Sequence, residues 1–192
     1  MSATLRLAQH PDADALLSAS PLAQLVGMLL DQQVPMEKAF SGPYVLTQRL
    51  GHQPTAEEIA GYDTDALVEL FSRTPAIHRF PGSMAKRVQV LCQYLRDHYD
   101  GDAEAVWRDV PTGKELLRRL KALPGYGEQK AKIFVALLGK QLGVRPDGWR
   151  EAAGAYGEEG STRSVADVVD EESLQRVREF KRQAKQAAKA GA

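Results

Sequence analysis

Cysteine is nearly absent from this sequence: Cys92 is the only one in 192 residues. One thiol cannot close an internal disulfide, complete a four-cysteine zinc site or hold a cysteine-ligated iron–sulfur cluster. A reducing compartment is expected. An excess of either charge is also missing, because 25 Lys and Arg are matched by 25 Asp and Glu. That excludes a generally basic nucleic-acid coat but leaves room for a local patch. No apolar run reaches the roughly 18 residues of a membrane span, and the stretch from Met1 to Leu17 has no long apolar segment of the signal-peptide kind. His10, His52, His78 and His98 lack partners at metal-ligand spacing, so they read as structural or surface residues and no metal is expected. There is no P-loop or dinucleotide motif. Val/Ile/Thr alternation is not sustained anywhere, which argues against a large sheet.

What is present is helical periodicity and enough apolar material, 43%, for a sizeable core. Leu22, Leu25, Val26, Leu29 and Leu30 recur at one face of a helix. Further helices are predicted over Lys38 to Leu50, after Thr55 with a capping box to Glu58, over Asp63 to Phe71 and over Ser83 to Tyr99. Gly113 to Leu123 and Glu128 to Leu142 form two more, and Ser164 to Ala190 reads as one or two helices. Arg145 to Thr162 is glycine-rich and reads mostly as loop.

Local charge is uneven despite the overall balance. Gly113 to Arg150 carries nine basic and three acidic residues, a net +6, whereas Gln53 to Leu70 carries five acids and no Lys or Arg. Inside the basic stretch lies Leu123-Pro124-Gly125-Tyr126-Gly127-Glu128-Gln129-Lys130-Ala131. Leu123-Pro124 closes one helix, and Glu128 opens the next. Both glycines are expected to take positive φ and to leave the backbone uncovered. Successive N–H groups at such a turn, beside a helix N-terminus, hold a phosphate oxygen. Contacts of that kind position a duplex without reading its sequence.

This stretch resembles the helix-hairpin-helix of the HhH-GPD superfamily of base-excision DNA glycosylases, whose hairpin reads L-P-G-x-G-x-x-x-A. Leu29-Leu30-Asp31-Gln32-Gln33 resembles the family's early L-x-x-Q-Q helix end. Ile77 through Gly82 to Lys86 resembles a further family segment, with one extra residue before the glycine and Arg87 in place of alanine. The resemblance, which covers roughly Leu22 to Trp149, implies a bacterial branch without an iron–sulfur cluster. It also implies an all-α, two-lobed fold with the helix-hairpin-helix, residues 113–142, at the lobe junction. Residues 22–123 would form a helical-barrel lobe, and residues 1–21 with 124–192 the second lobe.

The resemblance also assigns roles. Leu123, Gly125, Tyr126, Gly127, Gln129 and Lys130 become the DNA-binding residues. The bifunctional members carry a catalytic lysine at the position of Gln129, and an amide cannot form a Schiff base. Lys130 is turned about 100° away on the helix and reads as a phosphate or surface lysine. The family's catalytic aspartate lies 18 residues beyond that lysine position, which here is Asp147. It would stabilise an oxocarbenium-like sugar or activate water; the alternative is a turn residue in Pro-Asp-Gly. Gln32 and Gln33 are candidates for wedge or pocket, with helix capping as the alternative. Met36 and Trp149 are candidates for stacking on a flipped base, as are Phe40 and Tyr44, with a place in the core as the alternative. No cofactor is expected beyond a monovalent cation on the carbonyls of Leu123 and Gly125. The implied partner is double-stranded DNA, met by a monomer in the cytoplasm near the nucleoid, with no membrane involved. Two other readings stay open: a non-catalytic DNA-binding hairpin module, and an N-glycosidase of nucleosides or RNA.

Overall fold

The computed structural model describes residues 4–191. Among these the chain is all-α, and the only β pairing is an isolated bridge between Thr112 and Asp147. Helices α1 (Pro11–Ala19) and α2 (Pro21–Leu30) each carry proline at the first helical position, behind the side-chain caps His10 and Ser20. Proline suits that position because its φ is preset and it has no N–H to satisfy. Helix α3 spans Met36–Leu50, and α4 (Ala56–Ala60) starts where the Thr55 hydroxyl accepts the Glu58 N–H at 3.1 Å. The return arm of the expected capping box is not made. The Glu58 carboxylate turns instead to His52, at 2.7 Å.

Helices α5 (Thr64–Ser72), α6 (Pro81–Tyr99), α7 (Gly113–Ala122) and α8 (Glu128–Gln141) follow the periodicity closely. The stretch read as mostly loop contains α9 (Trp149–Ala153) and a 3-10 turn, Gly154–Gly157. The last segment resolves into a 3-10 turn, Val165–Asp167, and α10 (Glu171–Ala190). The turn is tied to α8 by the ion pair Lys140–Asp167, 2.6 Å and nearly buried.

Helices α4 and α5 lie on α6, and α2 packs on α3. Helix α1 packs on α3 and α2, so it joins the helices assigned to the barrel rather than the far lobe expected of residues 1–21. Helix α7 packs on α8 and α9, which keeps both hairpin helices together. One continuous apolar core runs through the whole.

The hairpin between α7 and α8 is pressed against α2. The Tyr126 N–H donates to the Leu123 carbonyl at 3.1 Å, which closes a tight turn with Pro124 and Gly125 at its centre. Gly125 has φ +86°, as a type II turn requires at that place. A Cβ there would also stand 2.2 Å from Leu29 Cδ1. The Tyr126 ring is buried edge-on to Phe134, and its hydroxyl donates to the Leu25 carbonyl at 2.7 Å. Tyr126 therefore faces inward, contrary to its expected place among the DNA contacts. Leu123 is likewise in the core, at 2% exposure.

Gly127 departs from expectation as well. Its φ is −78°, and nothing lies within 4 Å of a Cβ built on it. The two hairpin glycines are thus separable by mutation. Gly125→Ala should destabilise the protein by about 2 kcal/mol or more, from backbone strain and overlap with Leu29. Tyr126→Phe should cost about 1 kcal/mol for the lost hydrogen bond. Gly127→Ala should stay within about 0.5 kcal/mol of the parent. Urea unfolding of the three variants checks this order.

Candidate nucleic-acid interface and cleft

Helix α8 begins without a side-chain cap. Among the described residues, the N–H groups of Gly125, Gly127, Glu128, Gln129 and Lys130 have no intramolecular acceptor. They concentrate partial positive charge at one helix end, where an anionic oxygen is favoured. Exposed Lys121 and half-buried Lys132 flank this end, at 3.8 and 3.7 Å from the Glu128 carboxylate. The remainder of the basic stretch does not form one face. Lys140 is spent on Asp167, Arg145 on the Gly139 carbonyl, and Arg150 on the Gly157 carbonyl and the Trp149 ring. Arg118 and Arg119 both pair with Glu115.

Beside the hairpin opens a cleft of about 660 Å³. Its walls come from the end of α2, the start of α8, the Gly154–Gly157 turn and α10. Lys130 lies in this cleft, not on the outer surface. Its ammonium donates to the carbonyls of Met28 (2.7 Å) and Leu29 (3.1 Å). The cation thereby caps the negative end of α2. Burial pushes its pKa down to about 8, with Asp31 opposing the shift. Asp31 follows α2 directly, and burial raises its carboxyl above the ordinary value against the pull of Lys181 and Lys130.

The end of α2 is held by two more side chains. Gln32 donates to the Leu29 carbonyl at 2.9 Å and accepts from Arg87 at 3.2 Å. It caps the helix and lines the cleft at once. His78 is 1% exposed; its Nε2–H serves the carbonyls of Leu30 (3.1 Å) and Gln32 (2.9 Å), and its Nδ1 accepts from the Phe80 N–H (3.0 Å). That pattern requires a neutral ring. Gln33 is exposed at the apex of the same turn, with φ +58°.

The structure does not bring Asp147 to the hairpin. Its carbonyl accepts the Gly113 N–H at 2.7 Å, at the N-terminus of α7, whereas the hairpin follows the C-terminus. The ten residues of α7 separate the two places by about 15 Å. Asp147 is exposed and sits in a turn closed by the Trp149 N–H on the Pro146 carbonyl at 3.1 Å, with Gly148 at φ +74°. The turn reading matches this geometry. An 18-residue offset returns a carboxylate to the hairpin only if the loop runs back along α8, and here α9 begins before that return is made. The residue that reaches Gln129 is Tyr156, whose hydroxyl accepts from the Gln129 amide at 3.0 Å.

Trp149 and Met36 are core residues rather than cleft residues. The Trp149 indole lies on Gly139, where even a Cβ would come within 2.3 Å of the ring. Phe40 is fully buried, and Tyr44 packs beside His10. Sequence reasoning passed over Asp31, Tyr156, Arg163, Phe180 and Lys181, all of which line the cleft. Asp31 had a signal, a lone charge at the end of an apolar helix. The others are distant in sequence and carry none.

Burial holds the His78 pKa below its ordinary 6.5. The unfolded chain then binds the proton first on acidification, so the stability linked to His78 is complete above pH 6.5 and lost as pH falls through the folded value. Urea midpoints measured against pH should fall more steeply below pH 6.5 for the parent than for His78→Gln. Equal slopes would contradict the assignment.

The match to known families agrees with the hairpin and extends beyond it. The model of the HhH-GPD superfamily base excision DNA repair protein matches residues 26–191, from within α2 to the end of α10. No curated protein matches the chain. The span takes in both walls of the cleft and the hairpin between them, and the chain belongs to the HhH-GPD superfamily of base excision DNA repair proteins.

Proposed function

We propose that the protein is a monofunctional DNA N-glycosylase that flips a damaged or mispaired base out of duplex DNA and hydrolyses its glycosidic bond. The observation that carries this reading is the row of free N–H groups at the hairpin opening directly beside the cleft. The hairpin grips the phosphate backbone, and the cleft has the size of a small-molecule site. Unstacking the target nucleotide brings its sugar to the cleft mouth. Gln33, exposed in the turn after α2, fills the vacated position. The Gly125 carbonyl has no intramolecular donor among the described residues, so it can join the Leu123 carbonyl in holding a monovalent cation. A single buried cysteine leaves no ligand set for a cluster. The protein acts as a monomer in the compartment that holds the chromosome.

Strand cleavage through a Schiff base is not part of the reading. Gln129 has no amine, and the Lys130 ammonium is turned onto the carbonyls of Met28 and Leu29 instead of facing a substrate sugar.

Three outcomes test the function. Release of free base is expected from at least one duplex in a panel of single lesions and mispairs. Binding without release on every substrate would favour a passive clamp. Duplex affinity should fall steeply with salt, and Gly127→Ala should weaken it severalfold while leaving the fold intact, because its methyl group intrudes among the free N–H groups. Borohydride should trap no adduct on an abasic duplex; an adduct that disappears in Lys130→Ala would assign a lyase to this cleft.

A further inference from the structure

We propose that Asp31, not the aspartate downstream of the hairpin, is the carboxylate that stabilises the sugar cation and accepts the proton of the attacking water. This inference rests on the glycosylase reading above. Asp31 is the one carboxylate among the described residues lining the cleft, and Lys130 of the hairpin helix lines it too. No hydrogen bond or ion pair among the described residues reaches its oxygens, so its lone pairs are available. Asp147, in contrast, is exposed in a turn at the far end of α7.

The electrostatics around Asp31 suit a cationic transition state. Burial disfavours its ionised form, and Lys130 from α8 and Lys181 from α10 only partly offset that cost. A further positive charge arriving in the cleft therefore meets a carboxylate that is under-compensated. The other charged or titratable groups facing this region are Arg163 and Tyr156 on the cleft wall, Arg87 of α6 through Gln32, and His78 beneath the turn. The charge of Lys130 is partly offset, because its ammonium is turned onto the negative end of α2. His78 and Gln32 fix the turn that carries Asp31, which limits reorganisation during reaction.

The step balances without a co-reactant other than water. The C1′–N bond breaks, and its electron pair leaves with the nucleobase. Water's oxygen bonds to C1′, and one water proton passes to the Asp31 carboxylate and on to solvent. The departing nucleobase nitrogen takes up one proton from solvent.

A lesion-independent test uses duplexes containing either a protonated pyrrolidine in place of the sugar or a neutral tetrahydrofuran. The pyrrolidine places positive charge where C1′ becomes cationic, and such mimics bind tighter than neutral analogues. The full-length parent should prefer the pyrrolidine duplex by tenfold or more, with the preference fading as pH falls through the raised pKa of Asp31. Asp31→Asn should erase the preference while keeping the tetrahydrofuran affinity and the unfolding midpoint; Asp31→Glu should restore part of it. In single-turnover assays on any released base, Asp31→Asn should lose about 10²-fold or more. A preference that survives in Asp31→Asn, or that disappears in Asp147→Asn instead, overturns the assignment while leaving the glycosylase reading in place. A parent protein that releases base yet binds both duplexes equally overturns this assignment alone; one that releases no base from any duplex and shows no preference overturns the glycosylase reading with it.

Discussion

The docking of the hairpin onto the second half of α2 is the contact on which the candidate site depends. Three features hold it: the Tyr126 hydroxyl on the Leu25 carbonyl, bare Gly125 against Leu29, and the Lys130 ammonium on the carbonyls of Met28 and Leu29. Each addresses a backbone or side-chain group of α2 within one and a half turns. Together they set the distance between the unpaired N–H groups of α8 and the end of α2. The cleft is the gap that this docking leaves, and α10 closes its far side.

The end of α2 is unusually well satisfied for a helix C-terminus. Helix C-termini leave carbonyls without partners, and here Lys130, Gln32 and His78 supply donors from three parts of the chain. The consequence is a firmly held turn from Asp31 to Gln33, whose first two residues line the cleft. Gln33 in a left-handed conformation is the strained member of that turn, and strain of this kind persists where the surroundings determine it. A catalytic carboxylate gains from such a mounting, since its position does not have to be re-established in each turnover.

Charge follows the same local logic. The basic stretch from Gly113 to Arg150 looks like a continuous electrostatic surface when counted along the chain. In the fold, several of its cations serve as internal fasteners, such as Lys140 on Asp167 and Arg145 on the Gly139 carbonyl. What remains beside the hairpin for a polyanion is its backbone with Lys121 and Lys132 next to it; exposed Lys114 lies at the other end of α7. Overall neutrality and local DNA binding are therefore compatible.

The all-α class, the positions of α2, α3 and α5 to α8, and the hairpin turn were legible in the sequence. They rest on local rules: a 3.6-residue apolar repeat, a Pro-Gly turn and caps that act within four residues. The hairpin motif carried the family as well. Local rules failed where a residue's role depends on a partner far along the chain. Tyr126 and Lys130 looked outward by register but turn inward, because α2 lies across them with acceptors more than a hundred residues away. Asp147 had the right offset in sequence, yet α9 starts before the chain returns along α8, so the carboxylate stays at the wrong end of α7. Asp31 was visible only as a charge after an apolar helix. Its place in the cleft was decided by the packing of α2, α8 and α10, which is a property of the assembled fold and of no single segment.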